Sequence, residues 1–273
     1  MYCKILFIIG CILLGTPVSM AQPGSYPVGA RAIGMGHTSL VNKDFWAVCN
    51  NQAAAAYITG IELAVFMENR YLIKEMNRIV MGGALGVGKG GIFANVDHFG
   101  DHAYSEMKAG AGYALQLGEH FAAGLQLDYL RMSIGEGYGN YHAFTFEGGI
   151  YAMITDKISL GIHCFNPVHA AWTHSKEKLP VIIRGGIGFR PEASISISAE
   201  VLKSTAEAAV IAAGCEYRYR DKFFIRAGIT SGPARYTFGA GFKLKKLMID
   251  IASSVHSFLG YSPQLSIIYT VKE

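Results

Sequence analysis

Two short groups of residues could bind a nucleotide or a metal ion, and the first is a glycine-rich run. Gly83-Ala-Leu-Gly-Val-Gly-Lys89 matches the start of a phosphate-binding loop, but Gly90 stands where a hydroxyl residue must bind Mg²⁺. His98 and His102 bracket Asp101 near a predicted hairpin end. Such groups can bind a metal ion, although loop histidines of this kind are commonly just solvated. We therefore expect neither a nucleotide nor a metal ion, and no other cofactor.

Nucleophilic catalysis and nucleic-acid binding are also disfavoured. His163 and Cys164 are neighbours on one predicted strand, so their side chains point to opposite faces. No Ser-His-Asp set can be assembled from the sequence, and we expect no enzymatic activity. The formal charge is +4 over 273 residues, and it falls further once Lys4 leaves with the predicted signal peptide. A balance this small does not indicate a nucleic-acid partner.

A larger set of charged residues falls at alternate positions of predicted strands, on the face opposite to the apolar side chains. The set has both signs, and charges in a low-dielectric interior must pair to be tolerated. We therefore predict a network of salt bridges inside a barrel, with a charge-selective pore as the alternative. Its predicted members are Glu62, Arg78, Asp97, Lys108, Asp128, Glu147, Arg184, Glu200, Arg226 and Asp250.

The elements that must position these charges are β-strands. From Gly60 onward, segments of about ten residues carry apolar side chains at alternate positions, which is typical of transmembrane strands. In the run 193–203, one face carries Ile195, Ile197 and Val201, whereas the other carries serine and glutamate. Because strand side chains alternate, one face meets lipid and the other meets the lumen.

Turn signals predict the connections between strands. Six tight turns are predicted at residues 88–90, 118–119, 155–157, 190–192, 220–222 and 245–246. Seven longer loops are predicted at residues 71–76, 100–102, 135–140, 168–178, 204–205, 231–233 and 257–261. Together they predict about fourteen antiparallel strands, an even number with short turns at one end, as in bacterial outer-membrane barrels. Both termini would then face the periplasm.

The composition favours a membrane barrel over a soluble all-β fold. Hydrophobic residues make up 51% of the chain and charged residues only 16%. After the N-terminus, no apolar run approaches the ~20 residues of a spanning helix. A soluble sandwich or propeller would have polar outward faces, whereas the outward faces here carry Ile, Leu, Val, Phe and Tyr. We predict an all-β chain, with residues 60–273 forming a transmembrane β-barrel in contact with lipid.

The first 21 residues are predicted to be a signal peptide. Lys4 gives a positive start, the run 5–14 is apolar, and Ser19-Met20-Ala21 offers small residues for cleavage. The mature chain would then begin near Gln22. Export and a barrel together predict a location in the outer membrane of a Gram-negative bacterium.

Residues 22–59 lack strand alternation and are predicted to form a plug or hatch, because fourteen strands enclose more space than their own side chains fill. Three short motifs mark this region. They are Gly29-Ala-Arg31-Ala-Ile-Gly34-Met35-Gly36, then Asp44-Phe-Trp-Ala47, and finally Asn50-Asn51-Gln-Ala53.

These motifs resemble the PorV/PorQ branch of the FadL-like outer-membrane proteins. The resemblance implies a fourteen-stranded barrel with an N-terminal hatch that includes Gly29, Arg31, Gly34, Met35, Gly36, Asn50, Asn51 and Ala53. For function it implies two alternatives. The favoured one is a non-enzymatic subunit of a type IX-like secretion or envelope complex, because the predicted loops are short. The other is a carrier of small hydrophobic molecules across the outer membrane.

Overall fold

The computed structural model describes residues 27–135, 139–173, 175, 177–232 and 234–272. The predicted signal peptide, residues 1–21, lies outside the described residues. None of the described helices is long and apolar enough to cross a membrane.

The described chain forms one closed, antiparallel β-barrel of fourteen strands, in which each strand pairs with its neighbours in sequence. This arrangement confirms the predicted fold. The strands are β1 (Ile61–Asn69), β2 (Asn77–Val87), β3 (Gly90–Gly100), β4 (Tyr104–Gln116), β5 (Phe121–Ile134), β6 (Gly139–Met153), β7 (Ile158–Phe165), β8 (Ile182–Glu192), β9 (Ile195–Ser204), β10 (Val210–Tyr219), β11 (Phe223–Thr230), β12 (Arg235–Leu244), β13 (Leu247–His256) and β14 (Gly260–Lys272).

Pairing between the first and last strands closes the ring. Leu63 of β1 lies opposite Tyr269 of β14, and Met67 lies opposite Leu265, with a register shift at the start of β1. Closure leaves no open sheet edge, so the backbone groups of every strand have partners in the ladder.

The two faces of the wall have opposite character. In β9, Ser198 and Glu200 are buried inside the barrel, whereas Ile197 and Val201 are exposed on its outside. The outer face is strongly apolar elsewhere too, with Leu127 66% exposed and Phe144 75% exposed. The alternation predicted from the sequence is therefore confirmed, with apolar side chains outside and polar ones inside.

One predicted turn is wrong. The sequence predicts a turn at Arg190-Pro191-Glu192, but this segment forms the end of β8, and Glu192 pairs with Ile195 of β9 across a register shift. Proline has no N–H to donate, so it is tolerated in a strand where the ladder is irregular. The turn itself lies at residues 193–194.

The described residues of the longest connection, 166–173, 175 and 177–181, fold back over the loop end of the barrel. Trp172 and Leu179 are buried in a cluster with Leu130, Phe165 and other wall side chains. Asn166 fixes the base of this loop, because its amide donates to the Leu179 carbonyl oxygen at 2.9 Å.

The N-terminal segment, defined here as residues 27–60, lies inside the barrel. It contains two short α-helices, Ala30–Gly34 and Ala47–Asn50, followed by a 3₁₀-helix, Gln52–Tyr57. Its apolar side chains form the main buried core together with side chains of the inner wall. The wall thus packs around this segment, and β1 begins directly after it.

Glycines of the inner wall allow the segment to approach the strand backbones closely. A Cβ atom at Gly214 or Gly228 would collide with the backbone of residues 35–36. At Gly124 it would collide with the backbone of Gln52, and at Gly149 with the Asn51 side chain. The segment can therefore pack this closely only because these wall positions are glycine, which has no side chain beyond a hydrogen atom.

We expect Gly214→Ala to destabilise the protein by about 1–3 kcal/mol, because the new methyl group meets backbone atoms that cannot rotate away. Gly185→Ala is the matched control, since a Cβ there meets nothing within 4 Å. Both substitutions are made in a Trp172→Phe background, which leaves Trp46 as the single tryptophan of the chain. Gly214→Ala should lower the unfolding temperature and redshift Trp46 emission. Equal effects of the two glycine substitutions would contradict this account.

Candidate functional site

The interface between the N-terminal segment and the inner wall is the candidate functional site. Arg31, in the first short helix, reaches two carboxylates. Its Nε and Nη2 donate to the two oxygens of Glu216 in β10 at 2.9 and 2.7 Å. Its Nη1 donates to Asp44 Oδ2 at 3.1 Å. A bidentate arginine pair of this kind fixes orientation as well as distance.

A second arginine extends this group into the arginine cluster, which consists of Arg31, Asp44, Glu216, Arg226 and Asp250. Arg226 Nε donates to Glu216 Oε2 at 2.6 Å, and its Nη1 donates to Asp250 Oδ1 at 2.5 Å. The wall members lie on β10, β11 and β13, and their side chains are almost completely buried. The cluster therefore ties three strands to the segment.

Electrostatics favours the charged state of Arg31. Burial lowers the pKa of this guanidinium, but the nearby carboxylates of Glu216 and Asp44 outweigh burial and raise its pKa above the ordinary value. Arg31 therefore remains cationic, and its attraction to the wall persists at any pH at which Glu216 is ionised.

The rest of the first motif follows the wall of β10–β12. The amide of Gly36 donates to Thr237 Oγ1 at 2.9 Å, and Thr237 Oγ1 lies 3.1 Å from the Gly34 carbonyl oxygen. Gly36 has φ 69°, and its carbonyl oxygen accepts from Thr230 Oγ1 at 2.6 Å. Met35 is fully buried. Gly29, with φ 102°, precedes the first helix.

The last motif lies on the other side of the lumen. Asn50 joins it to the residue that precedes the first motif, because its side chain exchanges two hydrogen bonds with the backbone of Val28. Asn51 donates to the carbonyl oxygens of Leu40 at 2.7 Å and Ile150 of β6 at 3.2 Å. Ala53 is completely buried in the core. The motif residues thus bridge opposite walls of the barrel.

A second polar group, the lysine cluster, consists of Lys108, Gln126, Asp128 and Glu147 on β4–β6. Lys108 Nζ and Gln126 Nε2 donate to Glu147 Oε1 at 3.0 and 2.8 Å. Gln126 also donates to Asp128 Oδ1 at 2.7 Å. Gln52 of the segment donates to Glu147 at 3.0 Å, so this cluster also anchors the segment.

The remaining predicted charges are divided between pairs and one separate residue. Arg184 pairs with Glu200 at 2.9 Å, and that carboxylate also accepts from the Leu40 amide of the segment at 2.5 Å. Arg78 pairs with Asp97 at 2.6 Å near the loop end. Glu62 lies apart, and no described salt bridge includes it. The ten predicted charges therefore form several local groups rather than one continuous network.

Sequence reasoning missed Glu216, which joins the two arginines of the arginine cluster. Its signal was available, because Glu216 alternates with the outward-facing Cys215 and Tyr217 on β10. His163 was considered only as a partner for Cys164. The structure instead buries it with its Nε2 3.3 Å from Glu147 Oε2. Its place on the lumen side follows from the same alternation.

Two concavities adjoin the wall. At the turn end, a vestibule of about 380 Å³ has the arginine cluster as its floor. On the outside of β2–β6, a groove of about 830 Å³ runs between apolar side chains that include Leu127 and Phe144. No described group of three or more His, Cys, Asp or Glu side chains could hold a metal ion.

Comparison with solved structures places this architecture among known barrels. A deletion mutant of the TodX monoaromatic hydrocarbon channel matches with a TM-score of 0.72 and 10% identity, over 91% of this chain and 98% of that chain. The CymD monoaromatic hydrocarbon channel matches with a TM-score of 0.70 and 13% identity, over 93% and 100%. A FadL homologue from Pseudomonas aeruginosa matches with a TM-score of 0.65 and 12% identity, over 90% and 98%.

The chain has the fold of these three proteins. These matches cover a larger fraction of the chain than the stretch from β1 to β14 makes up. The structural likeness therefore extends into residues that precede β1. No family model matches the chain. No curated protein matches it either.

We expect Arg226→Met to destabilise the protein by about 3–5 kcal/mol, because it leaves the buried Asp250 carboxylate without its arginine and leaves Glu216 with Arg31 alone. The measurement is the temperature at which the folded band is lost on a heat-modifiability gel. Asp221→Asn is the control, since it removes an exposed pair with Arg218, which should matter little.

A double variant, Arg226→Met with Asp250→Asn, tests the cause. It removes the unpaired carboxylate together with the arginine, so it should recover part of the lost stability. A double variant less stable than Arg226→Met would show that the arginine acts through packing instead.

Proposed function

We propose that this protein is an outer-membrane channel for small hydrophobic molecules, with the N-terminal segment as its hatch. The observation that carries the proposal is the match to two monoaromatic hydrocarbon channels over more than nine tenths of the chain. That match includes residues before β1, the region that fills the barrel here. The proposed substrate class is therefore the class named for those channels.

The surface of the barrel supports a location in the outer membrane. The strands turn apolar side chains outward, the buried charged residues of the wall point inward, and the closed ladder pairs the strand backbones. A lipid environment requires both features. The predicted signal peptide agrees with export to the outer membrane of a Gram-negative bacterium.

The way the segment is held supports its role as a hatch. Among the described residues, none of residues 27–59 pairs with a wall strand in the β-ladder. Side-chain hydrogen bonds, salt bridges and packing against glycines hold the segment instead. The segment can therefore shift without breaking a strand pairing, whereas removal of a strand would open the barrel.

The two sides of the segment differ in polarity, which suggests where a hydrophobic molecule passes. Towards β9–β12 its charged and hydrogen-bonded contacts include Arg31 with Glu216, the Leu40 amide with Glu200 and the Gly36 amide with Thr237. Towards β1–β3 they are apolar, because Phe45 and Trp46 of the segment pack in one cluster with Phe66, Val80 and Phe93 of the wall. We place the hydrophobic path along this apolar side, where no charge has to be desolvated.

Uptake by whole cells tests the proposal. Cells that express the protein should accumulate a labelled monoaromatic hydrocarbon several times faster than cells with an empty vector, without a matching gain for a hydrophilic sugar. A variant that lacks residues 29–36 should admit the sugar as well, because the hatch loses Arg31 and its contacts with β10–β12. Folded barrel levels are matched by heat-modifiability gels. Hydrocarbon uptake equal to that of the vector control would contradict the channel.

A role as a subunit of an envelope complex is the second candidate. It rests on the motif resemblance to the PorV/PorQ branch and on apolar side chains exposed at the loop end, such as Leu72 and Phe258. If it holds, extraction in mild detergent should recover partner proteins in fixed stoichiometry. A Phe258→Ser and Leu72→Ser double variant should then lose them. Recovery of the barrel alone would weigh against this role.

A further inference from the structure

The vestibule at the turn end carries a large excess of positive charge. Its floor is the arginine cluster. Its rim adds six cationic side chains, which come from the segment, from β8, β10 and β12, and from the β12–β13 turn. They are Lys43, Arg190, Arg218, Lys243, Lys245 and Lys246.

The carboxylates of the vestibule do not balance this charge. Glu216, Asp250 and Asp44 are engaged by Arg31 and Arg226 in the floor. Glu62 is the remaining acidic residue in the lining. Against it stand the rim cations, of which only Arg218 has a carboxylate within salt-bridge distance among the described residues. That partner, Asp221, is largely exposed and lies 3.4 Å away.

This arrangement creates a positive potential that favours an anion in the vestibule. Like charges that converge on a concave surface repel each other, and the low-dielectric walls strengthen the field between them. Packing does not require these cations to converge, because Arg190, Lys243, Lys245 and Lys246 are exposed. A bound anion would account for the concentration of cations around this one cavity.

Donors without partners point in the same direction. Arg226 is fully buried, and its Nη2 has no hydrogen-bond partner among the described residues. Arg218 Nε is also buried and without a partner. Both residues line the vestibule, one on the floor and one on the rim. A buried donor without an acceptor is costly, so an acceptor group from outside the chain fits this place.

We propose that the vestibule binds a phosphate group. Arginine and lysine side chains that converge on one cavity suit a phosphate dianion, which has three or more acceptor oxygens, better than a single carboxylate. The cavity, about 380 Å³, is larger than an inorganic phosphate ion. Its lining also holds Phe224, Leu247 and Met248, which provide apolar contacts for the body of an organic phosphate. The source is either a soluble organic phosphate or the headgroup of a phospholipid at the rim.

Calorimetric titration of the purified protein in a neutral detergent tests this site. Glycerol 3-phosphate and inorganic phosphate are titrated at constant ionic strength, with acetate as the monoanion. The double variant Arg190→Gln with Lys243→Gln should weaken phosphate binding about tenfold or more, because it removes two of the cations that face the ligand. Lys157→Gln with Lys222→Gln removes the same charge from exposed residues at the same end, outside the vestibule, and should change binding less than about twofold.

Lipid nanodiscs then distinguish the two sources. If a phospholipid headgroup occupies the site, phosphatidate in the disc should abolish binding of glycerol 3-phosphate, whereas phosphatidylcholine should not. If the ligand is soluble, binding should persist in both discs. Absence of phosphate binding in detergent, acetate binding as tight as phosphate, or equal losses in both double variants would overturn the proposal. Because hydrocarbon uptake is not measured, the outcome is independent of the channel function.

Discussion

Closure of the sheet between β1 and β14 is the constraint on which the rest of the molecule depends. It satisfies the strand backbones but also fixes an interior wider than the wall side chains can fill. The chain fills that interior with its own residues 27–60. Because short helices must fit against strand backbones, several inward positions are glycine, as at Gly124, Gly149 and Gly214. Closure, filling and glycine placement are therefore aspects of one packing requirement.

The barrel differs from a soluble domain in where its charged residues lie. Its outer face is apolar, and its buried charges are paired inside. The pairs join parts of the chain that are far apart in sequence. Glu216, Arg226 and Asp250 come from three different strands, and Arg31 adds the segment. Since an unpaired charge in this interior is very unfavourable, these groups determine where the segment is seated against the wall. The glycines permit close contact, and the charges specify which contact forms.

The sequence predicted the wall well because a barrel strand has a simple period. Inward and outward residues of β9, β11 and β14 could be assigned from alternation alone, and the turns followed from glycine, proline and charged residues. The exception at Pro191 arose because a proline signals both a turn and an irregular strand end. The lumen residues Arg226 and Asp250 could be named, but Glu216 was overlooked, although it lies directly opposite Arg226 in the β10–β11 pair. The contact of Arg226 with Asp250 joins β11 to β13, which are not neighbours, and depends on the tilt and stagger of the strands, which no local pattern encodes. The path of the segment between opposite walls was likewise beyond reach, because it is set by contacts more than a hundred residues apart, such as Arg31 with Glu216.

The position of the segment within a ring closed by the first and last strands has a consequence for assembly. The segment leads directly into β1, and β1 closes the ring with β14, so the ring cannot close until all fourteen strands are available. Once closed, the wall surrounds helices that pack tightly against it, and late entry would require strand pairs to separate. The segment must therefore be in place while the sheet is still open. It then acts as an internal template, around which the curvature of the growing sheet is set before its two edges meet.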